Sequence, residues 1–132
     1  MAQITEDFVS VETAKLLKEK GFDIPVKNYY SICTEDVKHN LQKKYGAKKN
    51  WNSFDLTISR PSQSLVMKWL RERGWFICII PLAFYCGEKV SKFGYNIWAG
   101  DNLEIDEFNT PAFDTYEDAC KYAIKYCLKH LN

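Results

Sequence analysis

The side chains best suited to nucleophilic or metal chemistry in this 132-residue chain are five cysteines and two histidines. Cys33, Cys78, Cys86, Cys120 and Cys127 are odd in number and contain no C-x-x-C pair, and most alternate with apolar neighbours, as buried free thiols do. A cysteine nucleophile needs an imidazole close in space to take its proton. His39 could serve Cys33 or Cys86, but no spacing requires either pairing. Zinc asks for clustered Cys and His ligands, and only His130 lies near a cysteine, Cys127. Asp101, Glu104 and Asp106 offer oxygen ligands without the glycine and terminal glutamate of a calcium loop. No P-loop, G-x-G-x-x-G, G-x-S-x-G or H-E-x-x-H motif occurs. These residues therefore assign no catalytic group, metal ligand or cofactor. The thiols read as reduced structural residues, which suits a cytoplasmic protein.

Charge is the other feature that could do work. The formal net charge is only +1, yet Val37 to Arg71 holds eight basic residues against one acid, Asp55, while Phe93 to Cys120 holds seven acids and no lysine or arginine. Two readings stay open: a pair of solvated surfaces, or a dipolar molecule with a basic face for an anionic partner. On the second reading the contacts come from Lys43, Lys44, Lys48 and Lys49, with Tyr45 and Trp51 able to stack on bases.

The elements that position these groups follow from periodicity. Ser10 can cap a helix over about Val11 to Lys20, and Gly21 supplies a left-handed stop with Phe22 folding back on Leu17. Asn28 to Cys33 is a strand candidate, and the basic stretch Lys38 to Lys49 reads as loop. Phe54, Leu56 and Ile58 alternate with polar residues as in a half-buried strand. Pro61 suits the first turn of a helix that carries Leu65, Val66, Trp69 and Leu70 on one face and stops at Gly74. Trp75 to Ile80 has no polar position, the pattern of a central strand with both faces covered, and Pro81 belongs at a bulge or on an unpaired side. Phe93, Tyr95 and Ile97 alternate in a returning strand, followed by a weaker edge strand around Leu103 and Ile105. A capping box at Thr115 and Asp118 opens a last helix whose stripe runs from Tyr116 through Ala119, Cys120, Ala123, Ile124 and Cys127 to Leu131.

Three stretches carry a resemblance: Val9-Ser10-Val11-Glu12-Thr13-Ala14-Lys15-Leu16-Leu17-Lys18-Glu19-Lys20-Gly21-Phe22-Asp23, Ile58-Ser59-Arg60-Pro61-Ser62-Gln63-Ser64-Leu65 with Lys68-Trp69-Leu70-Arg71-Glu72, and Thr115-Tyr116-Glu117-Asp118-Ala119. Together they resemble a family of small uncharacterised proteins of Bacteroides-type gut bacteria and their phages and mobile elements. The resemblance implies a source and no mechanism; the Lys38 to Lys49 stretch lies outside it.

The expected fold is a single α+β domain spanning 1–132, with three helices and a mainly antiparallel sheet of four to five strands. Its order is helix-strand-strand-helix-strand-strand-(strand)-helix, with the helices on one face. From Pro61 onward this order matches the double-stranded-RNA-binding fold, although Glu117 and Asp118 put acids where such domains present lysines. The longest apolar run is too short for a membrane helix, and the first residues lack the basic and apolar regions of a signal peptide. The expected function is a non-enzymatic accessory or binding protein with a protein partner favoured. Nucleic-acid binding through the basic segment is the alternative, and an enzyme with an unrecognised site comes last.

Overall fold

The computed structural model describes residues 6–32, 41–82, 92–106 and 110–131. Cys33, Lys38, His39 and Cys86 lie outside these residues. The fold is α+β, and the described chain gathers into two compact units, residues 1–62 with 131–132 and residues 63–130.

In the first unit, helix α1 (Val11–Glu19) starts and stops where the sequence directs. The Ser10 hydroxyl accepts from the Thr13 N–H at 3.4 Å. Gly21 adopts φ +86°, the Gly21 N–H donates to the Lys18 carbonyl and the Phe22 N–H to the Leu17 carbonyl, the paired bonds of a left-handed helix stop. Leu17 and Phe22 are both buried. A three-stranded antiparallel sheet follows, ordered β2-β1-β3, from β1 (Val26–Ile32), β2 (Leu41–Lys49) and β3 (Thr57–Ser59). Tyr30 of β1 lies opposite Ile58 of β3; both are buried, and the Tyr30 hydroxyl donates to the Val9 carbonyl at 2.8 Å.

Two expectations fail here. The basic stretch is a strand from Leu41 onward, not a loop: its side chains are too polar to show a buried period, and it is held by backbone pairing to β1. The strand expected from Phe54 shrinks to Thr57–Ser59, because Trp51–Ser53 form a 3₁₀ turn and Phe54 and Leu56 stay exposed. Lys18 holds this turn segment by donating to the carbonyls of Phe54 and Thr57.

The second unit runs helix-strand-strand-strand-helix: α2 (Gln63–Glu72), β4 (Trp75–Leu82), β5 (Lys92–Ala99), β6 (Asn102–Ile105) and α3 (Tyr116–His130). This is the order noted above for double-stranded-RNA-binding domains. Pro61 falls before α2 rather than in its first turn; it is buried, and its carbonyl accepts from the Val9 N–H. At α3 the capping box forms, with the Asp118 N–H donating to the Thr115 hydroxyl at 3.0 Å. Ala119, Cys120, Ala123, Ile124 and Cys127 are buried as the stripe requires, with Leu128 added, whereas Tyr116 is exposed and Leu131 follows the helix end.

The sheet order is β4-β5-β6, so β5 is central and β4 is an edge. That corrects the central-strand reading of Trp75 to Ile80: Phe76 and Cys78 are exposed, and Ile77 and Ile79 only partly covered. The residue with no exposure is Ile97, which faces Ile77 on one side and Ile105 on the other. Among the described residues the strands number six in two sheets of three, rather than four to five in one sheet; β2, expected as loop, is the added strand.

Candidate functional site

Pairing puts the basic residues along an open edge. Lys43 lies opposite Tyr30 and Lys44 opposite Tyr29, and because successive strand residues point to opposite faces, these two lysines point apart. All four lysines are exposed, and Tyr45 keeps 69% of its surface. Lys27 of β1, which the sequence reading passed over, comes within 5.9 Å of the Tyr45 ring centroid. Only strand pairing brings it there.

Trp51 is differently placed. Its ring stacks on Tyr29 with centroids 3.9 Å apart, and its indole N–H donates to the Val26 carbonyl at 2.7 Å. Gly46 makes room for it, since a Cβ there would come within 3.2 Å of the ring. Lys49 sits 5.6 Å from the ring centroid. Trp51 thus locks the 3₁₀ turn onto the sheet, and of the two aromatics proposed for base stacking only Tyr45 stands open. The lysines also have an ordinary role: charge on an edge strand discourages strand-to-strand aggregation.

The second unit carries a surface the sequence did not single out. Phe76 lies opposite Trp98, and Trp98 opposite Leu103, so the three form one row across all three strands. They keep 43%, 39% and 44% of their surfaces. The row stands on the face opposite Ile97, against which the helices pack. A register shift between Ile97 and Trp98 explains why Leu103 joins it: Ile97 pairs with Ile105 but Trp98 with Leu103, which leaves Glu104 as a bulged residue and turns Leu103 outward while Ile105 turns inward. Asp101 and Glu104 are exposed beside it. A signal was present in the alternation of Phe76 and Cys78 with Ile77 and Ile79, had β4 been recognised as covered on one face only.

The thiols that are described divide by environment. Cys78 is exposed, and Cys120 and Cys127 are buried; none of the three is in a disulfide. Burial pushes the Cys127 thiol from its ordinary 9.0 up to about 12. Thiol reagents should therefore modify Cys78 promptly and Cys120 and Cys127 only as the protein opens. The same shift makes a pH prediction. Between about 9 and about 12 the unfolded chain gives up the Cys127 proton while the native state keeps it, so stability is full below this window and falls as pH rises through it. Urea titrations across the window should show a shallower loss for Cys127→Ala than for the wild type.

His130 stacks on Tyr126 with centroids 4.0 Å apart, and its Nδ1 lies 2.8 Å from the Tyr126 carbonyl. Among the described residues no group of three or more His, Cys, Asp or Glu side chains gathers, and no helix is long and apolar enough to cross a membrane. Comparison of the chain with protein-family profiles, curated proteins and solved structures finds no match.

Proposed function

We propose that this chain is a non-enzymatic binding protein whose partner is another protein, docked on the Phe76–Trp98–Leu103 row. The observation that carries this reading is the continuity of three half-exposed large apolar side chains across three paired strands. Such residues in contact supply the desolvated centre of an interface, with tryptophan among the strongest contributors. The exposed carboxylates of Asp101 and Glu104 favour a segment whose apolar anchors are flanked by lysine or arginine. A cytoplasmic location agrees with the free thiols, and an accessory role in a Bacteroides-type gut bacterium, phage or mobile element rests on the resembling stretches alone.

A photoreactive amino acid at Leu103 tests the reading in source cells. It should form an adduct with one defined protein, and Trp98→Glu should abolish that adduct while melting stays close to wild type. The absence of a protein adduct, or one indifferent to Trp98→Glu, defeats the proposal.

One observation favours nucleic acid as the second reading: Lys43, Lys44, Lys48 and Lys49 stand exposed on one edge strand with an open Tyr45. If they contact phosphates, affinity for RNA or DNA should fall steeply with salt, and changing all four to glutamine should flatten that slope. Melting should barely change, since exposed lysines contribute little. No binding to RNA, DNA or heparin at low salt would end this reading.

A further inference from the structure

We propose that the outer edge of β4 pairs with the same edge of a second copy of this chain, joining two three-stranded sheets into one antiparallel sheet of six strands across a two-fold axis. Trp75-Phe76-Ile77-Cys78-Ile79-Ile80-Pro81-Leu82 has no charged residue, as a strand with neighbours on both sides does, yet among the described residues β5 is its one strand neighbour. Edge strands in soluble proteins are ordinarily short or charged. The other edges obey: β2 carries four lysines, β3 has three residues, and β6 has four residues including Glu104. β4 has eight residues and no charge, and its edge is blunted only near its end, at Pro81.

The backbone of that edge is self-complementary. Gly100 N–H donates to the Gly74 carbonyl at 2.8 Å, which sets the phase of the ladder: the groups of Phe76, Cys78 and Ile80 turn toward β5, and those of Trp75, Ile77 and Ile79 turn outward. A second observation agrees. Phe93, opposite Pro81, exchanges both its backbone bonds with Phe113 on the side away from β4, so the missing N–H of Pro81 falls on the outer edge. Trp75, Ile77 and Ile79 thus present alternating donors and acceptors, which a two-fold axis brings against their own copies.

Charge selects the partner. Self-pairing of β2 would set lysines against lysines, and self-pairing of β6 would bring Glu104 near its copy; among the described edge strands longer than three residues, only β4 meets itself without repulsion. The exposed Phe76 and Cys78 and the partly exposed Ile77, Ile79 and Ile80 gain cover from the adjoining strand. A single strand-to-strand seam belongs with the smaller interfaces, below about 1,200 Å² in total, so the dimer is expected in the micromolar range. The seam lies on the edge of the sheet and shares Phe76 with the docking row; its test reads mass and amide exchange rather than capture of a partner, so its failure and that of the proposed function are distinguishable.

Sedimentation equilibrium over about 1 to 300 µM tests it. The wild type should move from 15.4 kDa toward twice that mass as concentration rises. Cys78 is exposed and its backbone bonds run to β5, so Cys78→Lys leaves the sheet intact and sets an ammonium group beside its copy; the dissociation constant should rise at least about tenfold. Ile80→Lys, outside the docking row and with its backbone bonds also on β5, provides a second variant should the first fold poorly. Hydrogen exchange reads the edge directly: the Ile77 and Ile79 amides should be protected in the concentrated wild type and exchange freely in Cys78→Lys. A wild type that stays at 15.4 kDa throughout, or a dimer in which those two amides exchange freely, overturns the proposal.

Discussion

Ile97→Asp should prevent the second unit from folding. Ile97 has no exposed surface; it sits in the central strand β5, between Ile77 and Ile105, on the face against which α3 packs. Aspartate there would bury a carboxylate beside Ile77 and Ile105, at a cost of several kcal/mol. Against a total stability of about 5–15 kcal/mol for a chain of this kind, that leaves little or nothing. The measurement is a thermal melt followed by circular dichroism, together with the soluble fraction on expression. Trp98→Asp, one residue along and on the open face, is the control and should melt near wild type. A soluble Ile97→Asp protein with a cooperative melt would show that β5 is not the central strand.

Trp69→Ala should be the most damaging truncation. Trp69 is 1% exposed, on the face of α2 that also carries the buried Val66 and Leu70 and packs on β4 and α3. The Arg73 guanidinium lies over its ring, 3.8 Å from the centroid, so truncation removes a cation–π contact along with the core volume. Losing a fully buried tryptophan costs about 3–5 kcal/mol, because the surrounding side chains relax only partly into the space. Urea titration should show a much lower midpoint with an unchanged slope, and Trp69→Phe should recover part of the loss. A loss below about 1 kcal/mol would mean that the site collapses around the gap and that α2 is not held by this residue.

The contrast between Ile97 and Ile77 shows where sequence reading reaches its limit. By composition Ile77 looks the more deeply buried, since its strand has no polar position at all. A strand's burial, however, depends on how many strands flank it, and strand order is a property of pairing between distant segments. The pattern Trp75 to Ile80 specifies a strand and its apolar character; it does not say whether β4 or β5 takes the centre. The same holds for the basic stretch. Lys43 to Lys49 offers no apolar period to read, so its strand exists through backbone bonds to β1, which side-chain pattern does not encode.

What the sequence determined by itself is the local structure whose causes are local. The helix stop at Gly21 follows from its freedom to take a positive φ, the start of α3 from a hydroxyl three residues before an amide that lacks a helical partner, and the stripe of α3 from a period of 3.6 residues. The α+β class follows from those periods taken together. The sequence already placed β6 at an edge; the tertiary structure alone decided that β4 is the other edge and β5 the centre, how the register slips at Glu104 to turn Leu103 outward, and which aromatics are held and which are open. Tyr45 and Trp51 are equally plausible stacking residues in the sequence, but Trp51 lies on Tyr29 with its N–H on the Val26 carbonyl, while Tyr45 faces solvent. The physical reason is common to all of these: a hydrogen bond or ring contact between strands has no periodicity along the chain, so it becomes visible only when the strands have been brought side by side.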